Sequence, residues 1–284
     1  MSLIVTPGRH AEDGNGALRH MRGARPSRPV QPERRMMMLA PPDNTFAQAL
    51  FLAEMDLVRL RDQLSLGSCV GATFAECKDQ NLARRGKLTA DTETSELDAY
   101  TVARIVGGTP LDEDSGSTSS DMCEGARDYG VTTTKMRPYS DVAAVWSAER
   151  TPAVVADALT RQMDLDLTCP TAETMKYALT QGFSVMVGFT CFAGLLTRAA
   201  ASTGKIPMPG AGEKEIGGHE MLICGWDDNV QVEACKGAWI VRQHWNEWGA
   251  KYGAIKGYGL LPYAYQTHGL THDIRCPRLF EATP

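Results

Sequence analysis

The spacing of apolar residues along the chain predicts helices in its first two thirds. There, apolar positions recur every three or four residues. The first clear helix is expected from Cys69 to about Arg85, with Val70 and Phe74 near one face and Gly86 just past its end.

Three more helices are predicted from the same kind of signal. Residues 95–108, SELDAYTVARIVGG, have apolar residues at helical spacing and end in two glycines. An acidic loop rich in serine and glycine, residues 110–118, runs into a helix that starts near the serines. Residues 171–182, TAETMKYALTQG, have a capping-type start and a glycine stop.

From residue 183 onward, short apolar runs replace the helical period. FSVMVGFTCF, HEMLICGWDD and AWIVRQHW are rich in Val, Ile and aromatic residues, and turn residues bound them, which predicts antiparallel strands. Helices followed by strands indicate an α+β fold with two lobes, a helical lobe of about 45–182 and a β lobe of about 183–284. A cleft between the lobes is where a site is expected.

The first 44 residues differ from the rest and are interpreted as an extended arm. Residues 1–40 hold seven arginines, three acidic residues and four prolines, with almost no apolar period. The whole chain has a formal net charge of −5, so the remaining body is acidic. We therefore expect the arm to bind a protein partner in a larger assembly. Nucleic acid is disfavoured, because no aromatic residue interrupts the arginines.

Composition limits several other functions. No run of about 18 apolar residues predicts a membrane span, and the first residues lack the pattern of a secretory signal. Eight scattered cysteines without metal-type spacing predict reduced, mostly buried thiols. His268 and His272 are interpreted as surface histidines, because Gly269 and Pro277 interrupt any helix that would align them as ligands. No metal and no cofactor are predicted.

Cys69 stands at the start of its predicted helix, where exposed N–H groups favour a thiolate. An imidazolium nearby would lower the thiol pKa further. His219 is the candidate, because it starts a predicted strand after two glycines that allow close backbone approach. The residue pattern alone leaves two alternatives open, a buried inert thiol at Cys69 and an ordinary polar residue at His219.

Four segments, in this order, resemble the papain-like cysteine peptidases. They are DQLSLGSC, GGHEMLICGWDDN, GAWIVRQHWNEWG and GYGLLPYAY. The resemblance spans roughly residues 50–266. It implies a papain-like fold and a thiol peptidase activity on peptide or protein substrates.

The resemblance also implies a role for individual residues. Cys69 is the nucleophile, His219 its base and acid, and Gln63 an oxyanion donor six residues before the cysteine. Trp245 shields the imidazole from water. Substrate-binding residues would be Gly116, Ser117 and Gly218.

The chain departs from the family pattern at several positions. Gln243 replaces the family's orienting asparagine, and Asn246, at the family's glycine position, is a possible substitute. Leu66 replaces a disulfide cysteine, and the N-terminal segment is too short for the family's independent proregion. We expect a bacterial or phage-type relative, located in the cytoplasm or in a phage virion.

Three functions follow as hypotheses. The leading one is a thiol endopeptidase that uses Cys69, His219, Gln243 and Gln63. The second is a papain-like domain kept as a structural or binding component of an assembly such as a phage particle, with weak or no peptidase activity. The third is acyl transfer on an amide or thioester that is not a peptide.

Overall fold

The computed structural model describes residues 10–12, 15–20, 24–25, 36–38, 45–163 and 165–278. Its α-helices are α1 (Cys69–Arg84), α2 (Glu96–Val106), α3 (Ser119–Asp128), α4 (Ala143–Trp146), α5 (Pro152–Leu159), α6 (Ala172–Thr180), α7 (Arg198–Thr203) and α8 (Tyr263–Thr267). Short 3-10 helices cover Ala53–Leu57 and Ala193–Leu196. No helix in the described part of the chain is long and apolar enough to cross a membrane.

The strands form one large sheet and one small hairpin. They are β1 (His10–Glu12), β2 (Leu18–His20), β3 (Met36–Met37), β4 (Ala49–Phe51), β5 (Leu165–Thr168), β6 (Val185–Cys191), β7 (Gly217–Val232), β8 (Cys235–Arg242), β9 (Ala250–Tyr252), β10 (Ile255–Pro262) and β11 (Thr271–Arg278). The large sheet has the order β3-β5-β11-β6-β7-β8-β10-β9, and β4 also pairs with β7. Only β3 and β5 run parallel among its described pairs.

The four predicted helices are confirmed as α1, α2, α3 and α6. Capping residues explain where three of them, α2, α3 and α6, begin. The side chains of Ser95 and Thr118 accept N–H bonds at the starts of α2 and α3. Thr171 and Thr174 form a capping box at α6. Each cap satisfies N–H groups that have no partner inside the helix, so these starts are encoded by nearby residues.

Helix α1 is the centre of the fold and carries Cys69 at its first position. It packs between α2 and strand β7, and even its polar residues Glu76 and Asp79 are buried. Gly71 makes the close packing possible, because a Cβ there would lie 2.7 Å from the Glu96 carbonyl oxygen. The start of α1 therefore packs directly against α2.

The predicted strands in the second half are confirmed as β6, β7 and β8, but the sheet also includes earlier residues. Strand β4 pairs with β7, and β5 pairs with β11. Strand β11 also changes one prediction. His272 pairs with Gly188 and is half-buried, so it is not a surface histidine, whereas His268 is exposed as predicted.

Two described parts of the predicted arm, residues 24–25 and 36–38, lie against the body of the same chain. Strand β3 pairs with β5, and Met38 beside it is 4% exposed. Ala24 forms an isolated bridge with Ser117. The boundary at residue 44 stays a prediction, but these contacts order at least two pieces of the arm.

Candidate active site

Cys69 is the first residue of α1 and is completely buried. Burial raises the pKa of its thiol, and the Glu220 carboxylate acts in the same direction. Backbone N–H groups of Val70 and Glu220 oppose the rise, but burial dominates. The sequence predicted a lowered pKa at this helix start. The prediction is wrong for this arrangement. Burial destabilises the thiolate more than the two backbone N–H groups stabilise it.

His219 lies near the start of β7, opposite Phe189 on β6. The Trp245 ring packs beside it with ring centroids 4.9 Å apart and planes at 31°. Phe189 contacts the imidazole edge to face at 5.8 Å. His219 itself is 1% exposed, so this aromatic enclosure keeps water from the ring. Trp245 thus lies where a shield is expected.

Gln243 follows the last residue of β8 and orients the imidazole. Its Oε1 lies 2.6 Å from Nε2 of His219 and also accepts the His244 backbone N–H at 2.9 Å. Asn246 is exposed, with a positive φ of 54°, a conformation that glycine adopts without strain. Gln243 therefore makes the imidazole contact for which Asn246 was the alternative.

Gln63 is buried beside the same tryptophan. Its Oε1 accepts from Nε1 of Trp245 at 3.2 Å, which directs the amide nitrogen to the other side. That nitrogen donates to the Leu66 carbonyl at 3.0 Å. An amide nitrogen carries two hydrogens, so one such bond uses half of its donor capacity.

The three predicted substrate-binding residues, Gly116, Ser117 and Gly218, lie around one extended path. Residues 24–25 of the chain itself occupy this path. Ala24 N–H donates to the Gly218 carbonyl at 3.4 Å, and Arg25 N–H donates to the Ser117 carbonyl at 3.0 Å. Nη2 of Arg25 also reaches the Gly116 carbonyl at 3.4 Å.

The contact between Ala24 and Gly218 is possible because glycine has no side chain. A Cβ there would lie 2.3 Å from the Ala24 carbonyl oxygen. Sequence reasoning missed residues 24–25, since nothing in an Arg/Pro-rich segment predicts which of its residues enters a cleft. Hereafter residues 24–25 are called the strap.

Sequence reasoning also missed three buried polar residues near the site. Glu220 follows His219, and its Oε1 accepts from the Ser119 hydroxyl at 2.7 Å. Burial raises the pKa of the Glu220 carboxyl well above its ordinary value. The other two are His244 and Glu76, which pair at 3.0 Å. A charged residue inside a continuous apolar run is the one signal that could have found Glu220.

Within the described ranges, no group of three or more His, Cys, Asp or Glu side chains is arranged to hold a metal ion.

Comparison with known proteins identifies a relative by sequence. No family model matches the chain. It is 29% identical over 223 residues to an uncharacterized peptidase C1-like protein of Acanthamoeba polyphaga mimivirus. The match covers 72% of this chain and 64% of that protein, so the chain spans less than two thirds of the relative's length.

Several solved structures share the fold of this chain at low sequence identity. Xylellain, a cysteine protease from Xylella fastidiosa, superposes with a TM-score of 0.80 at 20% identity and covers 98% of this chain and 100% of its own. Digestive procathepsin L 3 of Tenebrio molitor larval midgut has a TM-score of 0.65 at 17% identity, covering 87% and 75%. The bromelain protease from Ananas comosus has a TM-score of 0.58 at 17% identity, covering 82% and 100%.

Proposed function

We propose, from the papain-like cysteine protease fold that this chain has, that it is a thiol endopeptidase. The observation that carries the proposal is the 2.6 Å contact between His219 and Gln243, made in the fold that also places Cys69 at the start of α1. An imidazole whose orientation is fixed through one ring nitrogen can exchange a proton with a nucleophile through the other.

The reaction begins when the Cys69 thiol transfers its proton to His219. The thiolate then attacks the peptide carbonyl carbon, and the C=O electron pair moves to oxygen. His219 returns the proton to the leaving amine as the C–N bond breaks, which leaves a thioester on Cys69. Water, deprotonated by His219, cleaves the thioester, releases the acid and restores the thiol.

The oxyanion is held by two donors on the side of Cys69. The Gln63 amide nitrogen has a second hydrogen beyond its bond to Leu66, and the Cys69 backbone N–H points from the helix start. Such a donor contributes about 3 kcal/mol to the transition state. Because Trp245 fixes the Gln63 amide through Oε1, the donor is oriented before substrate arrives.

The substrate would be an extended peptide bound mainly through its backbone. The strap occupies the path between Gly218 and Ser117 with backbone N–H donors. Any peptide can make the same bonds, so this part of the cleft selects extended conformation and not side-chain identity. The strap therefore competes with substrate and holds the enzyme closed until it is displaced.

Labelling with an epoxide inhibitor of thiol peptidases, followed by mass mapping, tests the proposal. We expect one adduct, on Cys69, although the chain has eight cysteines. The matched control is Cys69→Ala, which should carry no adduct, and His219→Ala should slow labelling at least about 100-fold. Labelling spread over several cysteines, or unaffected by His219→Ala, would mean that no catalytic pair exists.

A further inference from the structure

His244 lies between Gln243 and Trp245, and the mechanism above does not use its side chain. It is completely buried. Its ring nitrogen Nε2 lies 3.0 Å from Oε2 of Glu76, and the two residues are 168 positions apart in the sequence. Glu76 belongs to α1, two turns beyond Cys69. The pair thus joins the nucleophile's helix to the residue that follows Gln243.

The backbone of His244 contacts two further groups of the site. Its N–H donates to Oε1 of Gln243 at 2.9 Å, the same atom that contacts His219. Its carbonyl accepts from the Gln63 N–H at 2.9 Å. A shift of His244 would therefore move the orienting residue and the oxyanion donor together.

The negative charge of Glu76 strengthens its contact with His244. Its carboxylate is completely buried, with His244 on one oxygen and Nε of Arg242 3.6 Å from the other. Arg242 is held in turn by the Val58 carbonyl at 3.1 Å. Burial opposes ionisation, yet His244 and Arg242 together hold the pKa of Glu76 below its ordinary value. Removing one partner would leave an uncompensated charge in the protein interior, so the pair resists separation.

We infer that His244 is a positioning residue that, through its bond to Glu76, keeps Cys69, Gln243 and Gln63 in their mutual geometry. The inference rests on the proposed peptidase function and names a further residue for that site. The competing explanation is a buried ion pair that only stabilises the fold.

The two explanations differ in what a variant changes. Loss of positioning lowers the rate of bond formation at Cys69, whereas loss of fold stability lowers only the unfolding temperature. A displacement of about 1 Å in a reacting group can cost about 100-fold in rate. Binding of the inhibitor should change little, because its contacts lie along the cleft and not at Glu76.

The experiment measures inactivation of the full chain by the epoxide inhibitor, with kinact separated from KI. For His244→Ala and Glu76→Gln we expect kinact to fall about 10- to 100-fold, with KI within about twofold. His244→Gln should keep kinact within about threefold, because its amide nitrogen can take the place of Nε2.

Asp98→Asn is the matched control. Asp98 is a completely buried acid on α2, and its described side-chain hydrogen-bond partners, Arg150 at 2.9 Å and the Thr132 N–H at 2.9 Å, are not site residues. It should lower the unfolding temperature about as much as Glu76→Gln and leave kinact unchanged. Equal kinact values for Asp98→Asn and Glu76→Gln would overturn the positioning role.

Two outcomes separate this inference from the proposed function. Wild-type labelling that His219→Ala does not slow removes the peptidase proposal, and the inference with it. Labelling that depends on His219 but is unchanged in both Glu76→Gln and His244→Ala removes only the inference. Should His244→Ala fail to fold, Glu76→Gln and His244→Gln carry the decision.

Discussion

At the scale of single residues, the glutamine that orients the imidazole is the main departure from the family pattern. Its extra methylene is accommodated, since Oε1 of Gln243 lies 2.6 Å from Nε2 of His219. The same atom accepts the His244 N–H. The backbone at this position is therefore placed for a long side chain.

The Gln243 variants should show this dependence on side-chain length. We expect Gln243→Ala to lower kcat about 100-fold and Gln243→Asn about tenfold, with KM nearly unchanged, because an imidazole out of place mainly harms the transition state. Hydrolysis of denatured casein by each variant measures it. Asn246→Ala serves as the control and should have wild-type activity, because Asn246 is exposed. Normal turnover in Gln243→Ala would contradict the assignment.

The lowered pKa of Glu76 predicts a dependence of stability on pH. A carboxyl group whose folded pKa is depressed stabilises the fold above its unfolded pKa of about 4.3, and this contribution is lost as pH falls through the folded pKa. We expect wild-type protein to lose stability below about pH 4.5 more steeply than Glu76→Gln. Urea midpoints measured between about pH 3 and pH 7 test it, and parallel curves would be inconsistent with the shift.

At the scale of secondary structure, the position of α1 decides where the nucleophile lies. Helix α1 approaches α2 closely at Gly71, where a Cβ would lie 2.7 Å from backbone atoms of Glu96 and Tyr100. Backbone atoms cannot rotate away as a side chain can. The two helices would have to separate to admit even one methyl group.

Gly71→Ala should therefore affect stability and activity together. We expect a loss of about 1–3 kcal/mol in the free energy of unfolding from overpacking, and slower labelling of Cys69 because α1 shifts. Gly86→Ala, just past the same helix, meets nothing within 4 Å and should cost only the strain of its positive φ, about 1–2 kcal/mol, without slowing labelling. Equal labelling rates in both variants would show that α1 does not move.

At the scale of the whole molecule, the strap lies along the path between Gly218 and Ser117, which are predicted to bind substrate. The strap binds through backbone N–H groups to Gly218 and Ser117. Burial keeps the Cys69 thiol neutral in this closed arrangement. Entry of water after displacement of the strap would lower the thiol pKa toward its ordinary value, about 8.5.

Arg25→Pro should open the site, because proline lacks the N–H that donates to Ser117. We expect iodoacetamide to label Cys69 severalfold faster at pH 7 in this variant. Arg25→Ala is the matched control; it keeps the N–H and loses the 3.4 Å side-chain contact to Gly116, so its rate should stay near wild type. If Arg25→Pro labels no faster than Arg25→Ala, the strap does not limit access.

Association through the arginines of the arm stays a prediction, as does a place in a virion. The two uses of the arm differ in their response to salt. Pairing of arginine with carboxylates weakens at high ionic strength, as the Debye length falls to about 3 Å at 1 M. Backbone bonds of the strap should be nearly unaffected. Light scattering of the full chain at low and high salt therefore tests association separately from closure.

Local sequence determined much of this protein. Caps and apolar periods lie within a few residues of each other, so α1, α2, α3 and α6 could be predicted from their own segments. The order of the four motifs was enough to predict the fold, and with it the contact between His219 and Gln243. These features can be recognised in the sequence without knowledge of the tertiary structure.

Tertiary structure alone decided the rest. The pairing of His244 with Glu76 joins residues 168 positions apart, and no local pattern encodes such a contact. The direction of the Cys69 pKa depends on how much water the assembled fold excludes, which a helix start by itself does not specify. The position of Ala24 beside Gly218 likewise depends on the folded protein. The backbone carbonyls of Gly218 and Ser117 come together only in the tertiary structure, so no local pattern near residue 24 could predict this contact.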